Sequence, residues 1–270
     1  MRFPDARFMR IHPTAIIDPK AQLADDVEVQ AFTLIGPDVV IGPGTVVGPH
    51  CVVTGRTVLG RDNLLYSGAQ IGVRSQDLKH RDDLVGRTTI GDRNVFREHV
   101  TVSACTLSSY DEEHRVTSIG DDCMFMAYSH VAHDCHVASG VIMANCASLS
   151  GHVDVEEHAI IAGLTGIHQE CIIGTMAFVA GMTRVTKDAP PYMIVEGNPA
   201  ICCGPNVVGL KRNGLSAHKR AQIKEMYRIM YRSSLNTTQA LHEIEARVTE
   251  SEERARFLEF FRRTIRGVIK

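Results

Sequence analysis

Aliphatic residues recur at every sixth position over most of the first 190 residues. The series runs from Ile11 to Ile71, resumes from Ile90 to Val102, and runs again from Ile119 to Val185. A period of six matches neither the helical period of about 3.6 nor the two-residue alternation of a hairpin. It is typical of a parallel β-helix, in which each hexad forms one short strand and one turn.

The hexad pattern, [LIV]-[GAED]-x-x-[STAV]-x, resembles that of left-handed parallel β-helices, which have three hexads in each coil. This resemblance implies both the handedness and an 18-residue coil. We therefore predict a mainly β protein, with a left-handed β-helix over residues 1–190 and a linker with a small α-helical domain over residues 191–270.

Two breaks in the period, at about 73–89 and 107–118, are predicted to be inserted loops. Insertions of this kind often carry the binding function of a solenoid. Beyond residue 215 the apolar period becomes helical, and Thr249 with Glu252 predicts a capping box for the last helix. The expected apolar faces of the helices comprise Ile223, Met226, Tyr227, Met230, Tyr231, Phe257, Phe260, Phe261 and Ile265.

The eight cysteines are scattered and form no CxxC pair, which favours buried free thiols in a reducing compartment. Residues 1–10 lack the apolar segment of a secretion signal, and the sequence has no apolar run of membrane-spanning length. We therefore expect a cytoplasmic protein. Residues 206–270 carry 14 Lys or Arg and 7 Asp or Glu, a net charge of +7, although the whole chain carries −2.

Four histidines are predicted to share one edge of the β-helix. With 18-residue coils, the hexads that begin at 131, 149 and 167 stack on one face, and His133, His152 and His168 each lie in one of them. His130 occupies the corner that enters this face. Three adjacent coils span only about 10 Å. The four histidines are therefore expected to form a functional site rather than to be unrelated residues on an exposed surface.

Two kinds of chemistry fit such a cluster. A neutral imidazole can remove a proton from a hydroxyl that attacks an acyl group, and Asp134 directly after His133 would orient that ring. Three histidines can also bind zinc. The sequence HVAHD lacks the His-x4-His spacing of the zinc-dependent β-helix carbonic anhydrases, which favours the base and predicts no metal or other cofactor.

Six short motifs resemble the UDP-N-acetylglucosamine O-acyltransferase family of lipid A biosynthesis: SHVAHDC, SGHVDV, GIHQECIIG, SQDLK, GLKRNG and RTIRG. The resemblance extends over essentially the whole chain. It implies direct transfer of an R-3-hydroxyacyl group from acyl carrier protein to the glucosamine 3-hydroxyl of UDP-N-acetylglucosamine. It also implies a homotrimer with sites between subunits, in which the basic C-terminal region faces the acidic carrier protein.

The resemblance assigns a role to each matching residue. His133 matches the general base, Asp134 the residue that orients it, and Gly151 the backbone N–H donor to the oxyanion. Gly181 matches the position that sets acyl-chain length. The remaining matches are substrate-binding residues, several of them in a loop that reaches across a subunit boundary: His130, His152, His168, Gln169, Gln76, Asp77, Lys79, Asn206 and Arg212.

The chain departs from the family pattern in three places. Residues Ser103–Thr106 replace a His-Arg-Gly-Thr run, Glu170 replaces an aromatic residue, and Pro199 replaces a histidine. Two other functions therefore stay open at this point: a divergent paralogue that acylates another nucleotide-sugar, and a metal-dependent β-helix enzyme of the carbonic anhydrase type.

Overall fold

The computed structural model divides into two compact units, residues 1–134 and residues 135–270. It describes residues 11–109, 112 and 114–270. Residues 1–10, on which the prediction of no secretion signal rests, lie outside the described residues. So do Tyr110, Asp111 and Glu113 of the second predicted insertion.

The first unit is built from short parallel strands, most of them two residues long. The strands are β1 (Ile16–Ile17), β2 (Gln22–Leu23), β3 (Glu28–Val29), β4 (Leu34–Ile35), β5 (Val40–Ile41), β6 (Val46–Val47), β7 (Val52–Val53), β8 (Arg56–Leu59), β9 (Leu64–Leu65), β10 (Gln70–Val73), β11 (Arg87–Ile90), β12 (Val95–Phe96), β13 (Thr101–Ser103), β14 (Thr117–Ile119), β15 (Met124–Phe125) and β16 (His130–Val131). Each strand pairs with the third strand after it, which gives three sheets: β1-β4-β7-β10-β13-β16, β2-β5-β8-β11-β14 and β3-β6-β9-β12-β15.

The strand register follows the hexad arithmetic. Val29 pairs with Val47 and is thus stacked on the residue 18 positions later. From Val29 onward the period-six side chains of the first unit are buried, because the stacked aliphatic groups leave no room for water between coils. Across the inserted segments the spacing grows: Leu59 pairs with Ile90, 31 residues on, and Phe96 pairs with Phe125, 29 residues on. The segments 74–86 and 104–116 leave the coils between these strands.

A substitution at Phe96 tests this description of the core. The Phe96 ring is fully buried and stacks on the ring of Phe125, with the ring centroids 4.9 Å apart. We expect Phe96→Ala to lower the free energy of unfolding by about 3–5 kcal/mol, because it removes apolar contact and leaves a cavity that stacked coils cannot close. Urea denaturation at fixed protein concentration measures the change. Phe32→Ala, at a ring that is 61% exposed, is the matched control. Equal losses in both variants would contradict this description of the core.

The second unit contains further parallel strands of the same type, then an antiparallel pair and four helices. Its strands are β17 (His136–Val137), β18 (Ile142–Met143), β19 (Ser148–Leu149), β20 (Asp154–Val155), β21 (Ile160–Ile161), β22 (Gly166–Ile167), β23 (Ile172–Ile173), β24 (Phe178–Val179), β25 (Arg184–Val185), β26 (Met193–Gly197) and β27 (Ala200–Pro205). The helices are α1 (Val207–Arg212), α2 (Ala217–Arg232), α3 (Thr237–Arg247) and α4 (Glu252–Arg263). Within the unit the sheets run β17-β20-β23, β19-β22-β25 and β18-β21-β24-β26-β27.

Two details of the predicted helical region are wrong. The capping box lies at α3, where the Asn236 side chain and Gln239 satisfy each other's backbone N–H groups, and α4 is capped instead by Ser251. Ile265 is 89% exposed and follows the end of α4. The packed face of that helix is formed by Phe257, Leu258, Phe260 and Phe261.

Asp188 is fully buried where the C-terminal tail packs on the coils of the second unit. Its carboxylate accepts the N–H of Ile172 at 2.8 Å and the hydroxyl of Thr264. Its backbone N–H donates to Gly267, and its carbonyl accepts the N–H of Ile269. Burial raises the pKa of Asp188, and the hydrogen bonds from Thr264 and Ile172 offset only part of this effect.

The raised pKa makes this contact pH-dependent. The folded state binds the proton of Asp188 more tightly than the unfolded chain does, so its stabilising effect is complete below the ordinary pKa of about 4 and declines as pH rises through the folded value. We expect Asp188→Asn to gain stability relative to the parent as pH rises from about 4 to about 7. Chemical denaturation across this range measures the difference, with the exposed Asp26→Asn as control. If the parent protein instead gained stability relative to Asp188→Asn over this pH range, the expected sign would be wrong.

All eight cysteines are free thiols, and six of them are buried, as the scattered pattern predicts. Within the part of the chain that the structure describes, the helices are too short or too polar to cross a bilayer.

Candidate active site

The centre of the site in the first unit is a histidine hydrogen-bonded to the aspartate that follows it. His133 Nδ1 lies 2.8 Å from Asp134 Oδ2, and the two side chains are 14% and 6% exposed. Because a carboxylate only accepts, Nδ1 carries the proton and donates it, which leaves Nε2 as the basic atom of the neutral ring. This arrangement matches a general base with its orienting group.

Asp134 is held from two sides by backbone and side-chain groups of the first unit. Its Oδ2 also accepts the backbone N–H of Thr106 at 3.1 Å. Its own N–H donates to the hydroxyl of Thr117 at 2.8 Å. Asp134 adopts φ 57°, a left-handed conformation that suits the tight corner and that Asp tolerates better than most residues. The corner therefore turns the carboxylate back onto the ring of its neighbour.

His130 lies on the strand that leads into this corner. It belongs to β16, and its Nδ1 forms a 2.7 Å hydrogen bond with the hydroxyl of Thr101 on the paired strand β13. Burial lowers the pKa of His130, and the nearby His133 lowers it further. His130 is consequently neutral at pH 7 and able to hydrogen-bond a ligand without adding a charge.

The first inserted segment contains three of the predicted substrate-binding residues, and it belongs to the same unit as His133. These residues are Gln76, Asp77 and Lys79. Asp77 Oδ2 lies 4.0 Å from His133 Nε2, so the loop and the histidine pair of one chain are neighbours. Gln76 and Lys79 are exposed, and the Lys79 backbone N–H donates to Asp77 Oδ1 at 2.9 Å. This turn presents one carboxylate beside the basic nitrogen and one exposed ammonium group nearby in sequence.

The predicted residues of the second unit lie on adjacent coils. Ser148 pairs with Gly166, and this register brings the turn with Gly151 and His152 next to the turn with His168. Gly151 is buried and its carbonyl accepts the N–H of Glu170 at 3.2 Å, whereas the side chain of His152 is exposed. His168 and Gln169 are also exposed, and His168 Nδ1 lies 3.1 Å from the Gln169 carbonyl oxygen.

The two residues predicted to bind the nucleotide differ in solvent exposure and in whether their side chains already have hydrogen-bond partners. Asn206 is buried and caps α1: its Oδ1 accepts the N–H of Gly209, and its Nδ2 donates to the Met176 carbonyl. Its side chain is therefore engaged in holding α1 on the coils. Arg212, at the end of α1, is exposed.

Gly181, predicted to set the acyl-chain length, lies in an exposed turn of the second unit. A Cβ at this position would lie 3.3 Å from the carbonyl oxygen of Gly163 on the preceding coil, so any larger residue is crowded there. Glu170, one of the departures from the family pattern, is 3.7 Å from Arg266 of the C-terminal tail.

Four polar residues of the first unit are part of the site although sequence reasoning did not select them: Ser75, Thr101, Thr106 and Thr117. All but Thr101 are nearly fully buried. Thr106 precedes Asp134 by 28 residues, a distance that the 18-residue coil does not predict because part of the second insertion intervenes. Thr117 precedes Asp134 by 17 residues, close to one coil, and this spacing could have found it. The signal that could have found Thr101 is its place one residue before the inward Val102, directly beside His130 in the register.

A hydrogen-bonded Asp–His pair fits two roles. It activates a general base, and it also occurs behind histidines that bind metals. In the first unit His133 lies beside the carboxylates of Asp134 and Asp77, so that Asp77 can bind a polar acceptor and the ring can deprotonate it. An acceptor hydroxyl placed at Nε2 would lose its proton to the ring as it attacks a carbonyl carbon.

Comparison with known proteins separates these roles. Residues 188–269 match the model for UDP-N-acetylglucosamine O-acyltransferase, domain 2, and residues 20–55 and 117–151 match the bacterial transferase hexapeptide model. The acyl-[acyl-carrier-protein]–UDP-N-acetylglucosamine O-acyltransferase of Anaeromyxobacter is 44% identical over 97% of this chain and 100% of its own length. The enzyme of the same name from Herminiimonas arsenicoxydans is 43% identical over 96% of this chain and 99% of its own length.

Solved structures agree with the sequence relatives. The UDP-N-acetylglucosamine O-acyltransferase of Moraxella catarrhalis is 33% identical, covers 97% of this chain and 100% of its own, and superposes with a TM-score of 0.91. The UDP-N-acetylglucosamine acyltransferase of Bacteroides fragilis is 33% identical over 96% and 99%, with a TM-score of 0.90. The predicted fold class, a left-handed parallel β-helix followed by a small α-helical domain, is confirmed. Neither a paralogue of different function nor a carbonic anhydrase is favoured, and the chain belongs to the UDP-N-acetylglucosamine O-acyltransferase family.

Proposed function

We propose that this protein transfers an R-3-hydroxyacyl group from acyl carrier protein to the glucosamine 3-hydroxyl of UDP-N-acetylglucosamine, the first acyl transfer of lipid A biosynthesis. The relatives at 43–44% identity are named as O-acyltransferases of acyl-[acyl-carrier-protein] and UDP-N-acetylglucosamine, and they are matched over nearly their full length. Among the features of the chain itself, the hydrogen bond between His133 and Asp134 supports the proposal most directly.

The reaction needs one base and no covalent enzyme intermediate. His133 Nε2 removes the proton of the 3-hydroxyl as the oxygen attacks the thioester carbonyl, and Asp134 stabilises the imidazolium that forms. The N–H of Gly151 is assigned to the oxyanion of the tetrahedral intermediate. When that intermediate collapses, the carbon–sulfur bond breaks and the imidazolium returns the proton to the departing thiolate.

Substrate binding is assigned to the residues around this pair. His130, neutral at pH 7, and Asp77, 4.0 Å from His133 Nε2, are suited to sugar hydroxyl groups. Lys79 and Arg212 have exposed cationic groups for the diphosphate. The further assignments are His152, His168 and Gln169 for substrate positioning, Asn206 and Gln76 for the nucleotide-sugar, and Gly181 for acyl-chain length.

The charge of the C-terminal region suits the acidic carrier protein as acyl donor. Residues 206–270 have a net charge of +7, and several of the Arg side chains there form ion pairs, such as Arg256 with Glu157 and Arg247 with Glu243. Lys211 and Lys224 are exposed and have no carboxylate partner among the described residues. Exposed cations of this kind raise the association rate of an acidic protein. The same proposal includes a homotrimer in the cytoplasm, which is compatible with eight free thiols.

An assay with purified protein tests the function. UDP-N-acetylglucosamine is offered together with 3-hydroxyacyl carrier proteins of different chain lengths, and the O-acylated product is identified by mass. Parallel reactions contain the 3-amino analogue of the sugar or the coenzyme A thioesters. Transfer only to the 3-amino sugar, or only from coenzyme A, would contradict the proposal. Metal analysis and light scattering of the same sample test for bound zinc and for a mass about three times 29.7 kDa.

A further inference from the structure

Two buried hydroxyl groups connect the inserted loop to the aspartate of the histidine pair. Ser75 Oγ and Thr106 Oγ1 lie 2.6 Å apart, and both residues are almost fully buried, at 1% and 2% exposure. Ser75 Oγ also accepts the backbone N–H of Asp77 at 3.1 Å. The backbone N–H of Thr106 donates to Asp134 Oδ2, the same oxygen that binds His133 Nδ1.

These contacts form an unbroken chain within the first unit. It runs from the Asp77 amide through Ser75 and Thr106 to the Asp134 carboxylate and then to the His133 ring. Ser75 belongs to the first inserted segment and Thr106 to the second, so neither is fixed by the strand ladder of the coils. The bond between their hydroxyl groups ties the two inserted segments together at the point where both reach the histidine pair.

We infer that Ser75 and Thr106 are positioning residues for the acyl transfer proposed above, on which this inference rests. The hydroxyl pair holds Thr106 so that its N–H restrains Asp134, and it holds the turn that places the Asp77 carboxylate 4.0 Å from His133 Nε2. The hydroxyl pair thereby fixes the position of the His133 ring relative to the turn that contains Asp77. Small errors in that geometry are costly, because proton transfer requires hydrogen-bond distance between the acceptor hydroxyl and Nε2.

The two residues differ in what each one holds. Thr106 touches Asp134 through its backbone, so loss of its hydroxyl disturbs the base and leaves the Asp77 amide bonded to Ser75. Ser75 holds both the Thr106 hydroxyl and the Asp77 amide, so its loss disturbs the base and the acceptor turn together. Loss of the Thr106 hydroxyl should therefore affect kcat alone, and loss of the Ser75 hydroxyl should affect both kcat and KM. If the two hydroxyls only stabilised the fold, the two variants would not differ in this respect.

Three variants and a matched control test the inference. Thr106→Val and Ser75→Ala remove the hydroxyl groups with little change of volume, and Thr106→Ser restores one. Thr45→Val is the control, because Thr45 is equally buried in the first unit and its hydroxyl also makes two hydrogen bonds, to the Gly60 carbonyl and from the Asn63 N–H. Thermal unfolding of each variant shows whether it has folded.

We expect Thr106→Val to lower kcat about tenfold with unchanged KM for the nucleotide-sugar, the effect of losing about one buried hydrogen bond in the transition state. Ser75→Ala is expected to lower kcat by a similar factor and also to raise KM for the nucleotide-sugar. Thr106→Ser should recover most of the lost rate. The double variant should be no slower than Ser75→Ala, since both changes break the same bond.

A second measurement does not depend on any activity. The His133 Nδ1–H proton and ring nitrogens are observed by NMR in the ligand-free protein, and these signals should shift in Thr106→Val and Ser75→Ala but not in Thr45→Val or Thr106→Ser. Losses that multiply in the double variant, or a Thr106→Val enzyme that matches Thr45→Val in both rate and spectrum, would overturn the inference. An inactive parent protein whose variants still show the spectral shift would refute the proposed reaction and leave the positioning link in place.

Discussion

Replacing His133 by alanine is expected to lower kcat by about 10²- to 10⁴-fold, the range by which a positioned general base accelerates a proton transfer. The change removes Nε2, the atom that we assign to take the proton of the acceptor hydroxyl. Folding should not change, because the ring lies at a corner of the coil beside Asp134 and not among the stacked aliphatic side chains. Steady-state kinetics with saturating carrier protein and nucleotide-sugar measures the effect.

His242→Ala is the control for this substitution. His242 is an exposed residue of α3, and alanine is well tolerated in a helix. It should retain the rate of the parent protein. If His133→Ala instead kept near-parental kcat while binding both substrates, a different group would have to act as the base and the assignment would be wrong.

The second large effect is expected for Asp134→Asn, with kcat lowered about 10²-fold or more. Asparagine tolerates the left-handed backbone at this corner, where φ is 57°. One amide oxygen can still accept from both His133 Nδ1 and the Thr106 N–H, as Asp134 Oδ2 does now. The variant thus removes the negative charge that stabilises the imidazolium and largely keeps the geometry.

Asp122→Asn is matched to this change in backbone conformation. Asp122 also has φ 57° at a coil corner, but its carboxylate pairs with Arg93 on the surface. An exposed ion pair contributes little to stability, so the control should be close to the parent protein in both rate and stability. A similar rate loss in both variants would show that corner strain, and not the charge beside His133, causes the effect.

Much of the fold follows from local spacing. An aliphatic residue at every sixth position is enough to predict coils and inward stacking, because each hexad makes the same strand and turn. The register of Val29 on Val47 also needs the three-hexad coil that the resemblance to left-handed β-helices implies. The periodicity of residues Ile223, Met226 and Tyr227 likewise predicts the buried face of α2. The antiparallel strands β26 and β27 were not predicted, since the period-six signal ends before them and no other pattern replaces it.

Local signals were less reliable at the helix ends. A Thr-x-x-Glu spacing predicts a capping box at Thr249, but Ser251 caps α4 and the reciprocal box forms at Asn236. Thr249 and Ser251 both offer a hydroxyl before α4, and the helix begins after Ser251, whose side chain accepts the N–H of Arg254. Ile265 continues the apolar spacing of α4 but lies beyond the helix, because the chain leaves the helical conformation at Thr264.

The sequence by itself determined the stacked coils, the helical C-terminal region and the motif that contains His133 and Asp134, because all three depend on residues close together in the chain. Only the tertiary structure decided how this pair is held. Ser75 and Thr106 are 31 residues apart, and Thr106 and Asp134 are 28 apart, across segments that leave the coil. A repeat predicts partners only at multiples of its own length, so contacts made by inserted residues require the path of the chain in space. Those contacts hold the Asp134 carboxylate in place beside the His133 ring.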